Sequence, residues 1–259
     1  MPDYGQPTSI RRQEVMTEFE SAENDLTVLL VHGAFADASS WSAVLGQLLA
    51  AGLDVRAVAN PLRGLATDAR YVADVASEIE GRVLLVGHSY GGAVITNAAG
   101  ELANAVGLVF ITAFAPKEGE SLTAIVEQFP ATLMGSALRQ TAVRTEHGDK
   151  AAELSIDRSQ FPAVFAADVP AADAAIMAAS QRPIALAGFT EASAEPAWRV
   201  LPSWYLVAAD DQAIHVDAQR SMAQRAGSHI AETAGSHAVM VSQPTAVADV
   251  ILTAARTLR

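Results

Sequence analysis

Apolar residues in this chain come in short continuous runs, separated by longer stretches in which they recur every three or four positions. "TVLLV" (27–31), "RVLLV" (82–86), "VGLVFITAFAP" (106–116) and "SWYLVAAD" (203–210) are the runs, and each reads as a strand. "DVRAVANP" (54–61) is a strand closed by proline, and "HIAET" (229–233) is a short one near the end. Between them lie helical patterns. "SSWSAVLGQLLAAG" (39–52) puts Trp41, Val44, Leu45, Leu48 and Leu49 at helix spacing and stops at Gly52. "TDARYVADVASEIE" (67–80) has Thr67 as its expected cap. "GGAVITNAAGEL" (91–102), "VDAQRSMAQRAG" (216–227) and "QPTAVADVILTAARTL" (243–258) complete the helices. Continuous apolar strands alternating with amphipathic helices predict a parallel sheet covered on both faces, an α/β protein.

The alternation is absent from two regions. Residues 1–24 are polar and without period, and predict a loose arm with room for one short strand. Residues 117–200 carry helical patches such as "LTAIVEQF" and "AADAAIMAAS", scattered prolines and no convincing strand. A stretch that long is more than a loop. It predicts a helical cap inserted between core segments 1–116 and 201–259, lying over the carboxyl edge of the sheet.

Composition narrows the function. Lys and Arg number 17 against 29 Asp and Glu, a net charge of −12 with no basic run, which repels phosphate backbones and anionic lipid surfaces. Nucleic acid and membrane are therefore not expected as partners. Cysteine is absent, removing disulfides, thiol nucleophiles and Cys-based zinc sites together. "MPDYGQPTSIRRQEV" lacks the apolar segment of a signal peptide, and "AVGLVFITAFAP" falls short of the roughly 18 apolar residues of a membrane span. A soluble, cytoplasmic protein is the expectation.

Chemistry is concentrated in "VGHSYGGA" (86–93). Gly-x-Ser-x-Gly gains meaning here because a strand precedes it and a helix follows. The sharp turn strains the backbone of Ser89, and Gly87 and Gly91 flank it because side chains there would collide. The turn exposes the hydroxyl at a helix N-terminus, where developing negative charge is favoured. A serine hydroxyl needs an imidazole to take its proton. His237, in "AGSHAVMVSQP" between the last strand and last helix, holds a crevice position at the carboxyl edge of such a sheet. Of the other histidines, His32 and His88 read as structural, His147 and His229 as solvated. The imidazole needs a carboxylate behind it. "LVAADDQAIH" offers Asp211 as the choice, while Asp210, Glu118 and Glu120 stay open. "HGAF" (32–35) leaves the first strand where a backbone N–H can face the serine, so Ala34 and Tyr90 N–H are the expected oxyanion donors.

The stretches "VLLVHGAFADASSW", "VGHSYGGAV", "YLVAADDQAI" and "AGSHAVMVSQP" resemble the α/β-hydrolase superfamily. The resemblance is to its small cap-bearing members, which include plant methyl-ester esterases, plant hydroxynitrile lyases and many bacterial hydrolases. It covers about 25–116 and 201–259. It implies an α/β-hydrolase fold, a doubly wound and mostly parallel sheet with an inserted helical cap. It also implies Ser89, Asp211 and His237 as a triad, with Ala34 and Tyr90 as oxyanion donors. Many relatives have proline four residues after the acid, where this chain has His215. The lyases carry lysine after the catalytic histidine, where this chain has Ala238, and Gly33 is esterase-like.

The implied activity is hydrolysis of small carboxylic esters through an acyl-enzyme on Ser89, with no metal or organic cofactor. Two rivals stand beside it: cofactor-free perhydrolysis of the haloperoxidase kind, and a ligand-binding protein of this fold with little turnover. The insertion's "EQFPATLMG", "FPAVFAADV" and "RPIALAGF" either line an apolar pocket for a compact acyl or alcohol group or form the insertion's own core. Oligomeric state is not legible.

Overall fold

The computed structural model describes residues 25–144, 148 and 150–258. The arm expected over 1–24 and His147 lie outside the described residues. Six strands form one parallel sheet: β1 (Leu26–Val31), β2 (Asp54–Val58), β3 (Arg82–His88), β4 (Ala105–Ile111), and two that follow the insertion, Ser203–Ala208 and His229–Thr233. Within the insertion lie β5 (Leu138–Arg144), β6 (Lys150–Ile156) and β7 (Ile184–Ala185), so the last two strands of the main sheet are β8 and β9. The main sheet runs in the order β2-β1-β3-β4-β8-β9.

Each strand of the sheet's middle is apolar on both sides, and the pleat sends alternate residues to opposite layers. Val28 and Leu30 of β1, with Leu84 and Val86 of β3, face α1 (Ser42–Ala50) and the closing helix, Pro244–Thr257. Leu29, Val31, Val83 and Leu85 face α2 (Leu65–Ser77) and α3 (Tyr90–Ala98). From β1 the chain steps outward to β2, then crosses back over β1 to reach β3. That reversal opens a crevice between the carboxyl ends of β1 and β3, the place where such sheets bind ligands.

Local geometry at those ends is strained. Among the described residues other than glycine, four have left-handed backbones: Phe35 (φ 61°), Leu62 (φ 63°), Ser89 (φ 53°) and Thr112 (φ 39°). Each lies just past the carboxyl end of one of β1 to β4, and for bulky or β-branched residues this conformation is costly. Thr112 ends β4 at Ile111, where the sequence pattern extended it to 116. The helix expected from Thr67 begins instead at Leu65, with Gly64 at the cap and no capping side chain. Its Ala66 N–H is satisfied by the Glu191 carboxylate, 3.0 Å away and supplied by the insertion. A tertiary partner has replaced a local one.

The insertion corrects the expectation that it lacks strands. Its helices α4 (Leu122–Val126), α5 (Leu133–Ala137), α6 (Phe161–Phe165), α7 (Ala171–Ser180) and α8 (Ala187–Thr190) accompany an antiparallel β5-β6-β7 sheet. "LRQTAVR" and "KAAELSI" are short of apolar residues because β5 is largely solvated, which erased the alternation that identifies a strand. Backbone bonds tie the insertion to the core: Ala185 N–H to Leu62 C=O (2.9 Å), Met134 N–H to Gln212 C=O (3.2 Å) and Ala238 N–H to Phe165 C=O (2.8 Å). Arg182 adds a charged tie, donating to Asn60 C=O (3.1 Å) and reaching the ring of His32 (Nε2, 3.4 Å).

His32 is fully buried at the end of β1, its Nδ1 donating to Gly33 C=O at 2.9 Å. Burial pulls its pKa down from 6.5 to about 4, helped by the nearby Arg182 charge and opposed by the Gly33 bond. As pH falls below 6.5, the unfolded chain takes up a proton that the native ring refuses. Stability is therefore whole above pH 6.5 and declines toward pH 4, by up to about 3 kcal/mol from this group. Urea unfolding across that window should show a shallower slope for His32→Gln; an unchanged slope would place the acid sensitivity elsewhere. Gly91→Ala offers a second check. In an ordinary helix that change stabilises by about 1 kcal/mol. Here the new Cβ would sit 2.4 Å from Val31 O and 2.9 Å from His32 O, both backbone atoms. The sign should reverse, with a loss of at least about 2 kcal/mol in the same measurement.

Candidate active site

The turn from β3 into α3 holds Ser89 at φ 53° and ψ −122°. A Cβ on Gly87 would lie 2.5 Å from Gly91 O, so the turn is too tight for a side chain at 87. The clash at 91 is with the end of β1 rather than across the turn. Gly33 completes the packing: a Cβ there would fall 2.7 Å from Ser89 Cβ. The loop after β1 therefore lies directly against the serine. Neither the Ala34 N–H nor the Tyr90 N–H is bonded to a described residue, leaving one backbone donor next to Ser89 in the chain and one on the loop packed against it.

Tyr90 is held by its far end. Its hydroxyl donates to Asp68 Oδ2 at 2.7 Å, and its ring stacks on Phe189 of the insertion. Burial raises the pKa of both the Asp68 carboxyl and the Tyr90 phenol, although the Arg63 N–H and the Tyr90 hydroxyl favour the Asp68 carboxylate. Asp68 was hidden in the sequence because it occupies the first turn of a helix, where acids are ordinary.

His237 sits between β9 and α10 (Val239–Ser242), which leads into α11 (Pro244–Thr257). Its Nε2 lies 2.8 Å from Ser89 Oγ, and its Nδ1 lies 2.7 Å from Asp211 Oδ2. Hydroxyl, imidazole and carboxylate thus form one hydrogen-bonded chain, buried but for the serine's edge. An imidazole proton on Nδ1 faces the carboxylate, leaving the Nε2 lone pair to receive the serine proton.

Asp211 has all its acceptor capacity engaged. Oδ1 accepts the N–H groups of Ala213 (2.6 Å) and Ile214 (3.0 Å). Oδ2 accepts Thr112 Oγ1 (2.8 Å) and Gln219 Nε2 (2.8 Å) besides His237. Gln219 Oε1 accepts Ala208 N–H at 3.1 Å, which orients the amide so that its nitrogen faces Asp211. Thr112 and Gln219 were not visible in the sequence. The first is a threonine one position past a strand, and the second lies in α9 (Val216–Arg225) with nothing to mark it as buried.

The other acids have different partners. Asp210 is exposed and accepts Gly235 N–H at 3.2 Å, steadying the loop that carries His237. Glu118 is exposed. Glu120 is buried against Arg225 (2.8 and 3.0 Å); burial works against its charge, but Arg225 and the Lys117 N–H hold its pKa below the usual range. His229 is exposed and lies over Trp204. His88 is fully buried, and its Nε2 donates to the carbonyl of His237 at 2.9 Å. Burial, with the neighbouring His237, drives its pKa well down, so this ring acts as a neutral strut under the loop. Phe165 of the insertion meets the His237 ring edge to face, centroids 4.8 Å apart.

Ser89 and His237 open into a cavity of about 560 Å³. Phe35 and Phe114 of the core and Phe129, Met134, Leu186 and Phe189 of the insertion line it. "EQFPATLMG" therefore lines the pocket, while Phe161, Val164 and Phe165 of "FPAVFAADV" are buried in a core the insertion shares with one face of the main sheet. "RPIALAGF" divides between the two, with Ile184 in the core and Leu186 and Phe189 on the wall. No helix of the described residues is long and apolar enough to cross a membrane.

Known proteins can now be set beside this geometry. The fold is similar to a pyrethroid hydrolase from Sphingobium faniae JZ-2 (TM-score 0.69, 23% identity, covering 88% of this chain and 96% of that one). It is similar to polyneuridine aldehyde esterase (TM-score 0.76, 20% identity, 88% and 98%) and to a methylesterase from Arabidopsis (TM-score 0.74, 18% identity, 90% and 100%). In sequence, 61 residues are 44% identical to the carbendazim hydrolyzing esterase of Nocardioides sp. (strain SG-4G). That stretch spans 22% of this chain and only 25% of the relative. Residues 28–250 match the alpha/beta hydrolase family, most of the chain and both sides of the insertion, so the protein belongs to that family.

Proposed function

We propose that the protein is a carboxylic-ester hydrolase that works through an acyl-enzyme on Ser89. The observation that carries this reading is the unbroken Ser89–His237–Asp211 hydrogen-bond chain at the floor of an apolar cavity. Ser89 Oγ attacks the ester carbonyl as its proton passes to His237 Nε2. The carbonyl oxygen becomes an oxyanion, received by the Ala34 and Tyr90 N–H groups, neither of which is bonded to a described residue. His237 then protonates the departing alkoxide, and a water molecule, activated by the same imidazole, releases the acid. Asp211 keeps the proton of the neutral imidazole on Nδ1 and stabilises the imidazolium that forms between these steps.

The apolar walls favour an ester whose acyl and alcohol groups are both uncharged. The cavity volume lies within the range of pockets that enclose small organic molecules. The names of the similar proteins, several of them esterases, point the same way.

An activated aryl ester should give a burst of phenol, and a fluorophosphonate should label Ser89. Ser89→Ala should abolish labelling and lower kcat by roughly 10⁴- to 10⁶-fold; cleavage near the wild-type rate would remove the serine from the mechanism. Thr112 Oγ1 donates to Asp211 Oδ2 and lies 3.1 Å from His237 Nδ1, so Thr112→Val should lower kcat by roughly five- to tenfold with KM little changed, and Thr112→Ser should recover most of it. A change confined to KM, or equal losses for Val and Ser, would assign Thr112 to folding alone.

A further inference from the structure

The cavity contains a second imidazole besides the one facing Ser89. His215 stands at the N-cap of α9 and lines the wall formed by the loop after β8, beside Ala213, Ile214 and Ala218. Its Nδ1 accepts the N–H of Asp217 at 3.2 Å. With Nδ1 accepting there, and the Asp217 carboxylate 3.7 Å from it, the ring carries its N–H on Nε2. No described residue is bonded to that Nε2, and the ring is only partly exposed.

The remaining polar side chains of the cavity cannot fill the same role. Thr123 Oγ1 donates to Phe189 C=O (3.0 Å) and Thr132 Oγ1 to Ala213 C=O (3.3 Å). Glu127 is an exposed carboxylate at the rim and can only accept. Ser89 and His237 are bonded to one another. Among the described side chains of the cavity, His215 alone offers an N–H donor with no protein partner. The loop that carries it is also immobilised. Met134 N–H bonds Gln212 C=O at 3.2 Å, and Asp211 holds the N–H groups of Ala213 and Ile214. The donor is thus fixed before a ligand arrives, and a ligand that meets it loses little freedom in doing so.

We infer that the cavity selects esters bearing a hydrogen-bond acceptor, such as an ether, carbonyl, cyano or nitro oxygen or nitrogen, placed away from the scissile bond to meet His215 Nε2–H. This deepens the hydrolase reading above and rests on it for the word ester. An all-carbon substrate would cover the same N–H without bonding it, and an unpaired polar group in a filled apolar pocket discriminates against such a ligand.

The test is a series of aryl alkanoates in which one ether oxygen replaces a methylene at successive positions of the acyl chain, with a matching series in the alcohol. Wild-type protein should show one position where kcat/KM, relative to the all-carbon ester, stands out. His215→Ser keeps a helix-capping side chain but withdraws the donor from the cavity. It should lower that ratio by roughly five- to tenfold at that position and leave the ratios elsewhere alone. Equal ratios for the two proteins at every position would overturn the inference, as would a wild-type series with no favoured position. Calorimetric binding of the isosteric ketones to Ser89→Ala separates this result from the fate of the hydrolase reading. A His215-dependent preference for the ether ketone supports the inference even if no ester is cleaved. Its absence sinks the inference even if hydrolysis is rapid.

Discussion

The rest of the structure depends on how closely the end of β1 approaches the turn after β3. Gly33 lies where any side chain would strike Ser89, and Gly91 where any side chain would strike the carbonyl of Val31. Removing both side chains lets the loop after β1 and the first turn of α3 share one small volume, and the N–H groups of Ala34 and Tyr90 in these two segments have no bond to a described residue. The approach is possible because strand addition, outward from β1 to β2, switches to the other side of β1 at β3. In a sheet without that switch, a crossover helix would fill the space. The left-handed conformations of Phe35 and Ser89 lie in the two segments that meet here, and both residues are buried.

Burying a carboxylate is tolerable only when its lone pairs are answered. Asp211 meets that condition with five donors: two backbone N–H groups, a hydroxyl, an amide and an imidazole. The same bonds that make burial possible leave the carboxylate no freedom to turn. The direction in which it presents itself to His237 is consequently set by the fold. His88 performs the equivalent task on the main chain, holding the carbonyl of residue 237 with a ring too deeply buried to charge. Two histidines in contact thus differ in task because their hydrogen bonds differ.

The insertion supplies both the walls of the cavity and part of the machinery beneath it. Phe129, Met134, Leu186 and Phe189 shape the space above Ser89, while Phe165 packs against the ring of His237 and Glu191 completes the start of α2. Arg182 bonds the core at Asn60 and meets His32, whose other ring nitrogen steadies the loop that carries Ala34. A change in the insertion's packing would therefore be felt at the backbone donors as well as in the pocket's shape.

Much of this was legible along the chain. Short apolar runs between amphipathic helices read as strands buried on both faces, so the layered architecture followed from that alternation. A serine flanked by glycines between a strand and a helix marked the turn, because few other residues tolerate that crowding. The sequence prefers Asp211 to Asp210 without closing the choice. Adjacent residues leave a strand on opposite sides, and only the completed fold shows which side carries His237. Thr112, Gln219, Asp68 and Phe165 were silent for a related reason: each has an ordinary residue type at an ordinary place, and its importance comes from a partner between 8 and 99 positions away. The strands of the insertion escaped notice because half-solvated hairpins carry no strong apolar alternation. What the sequence determined by itself was local and periodic, the elements and the turn. What the tertiary structure decided was convergence, since which donors surround a buried charge depends on distances that no spacing along the chain encodes.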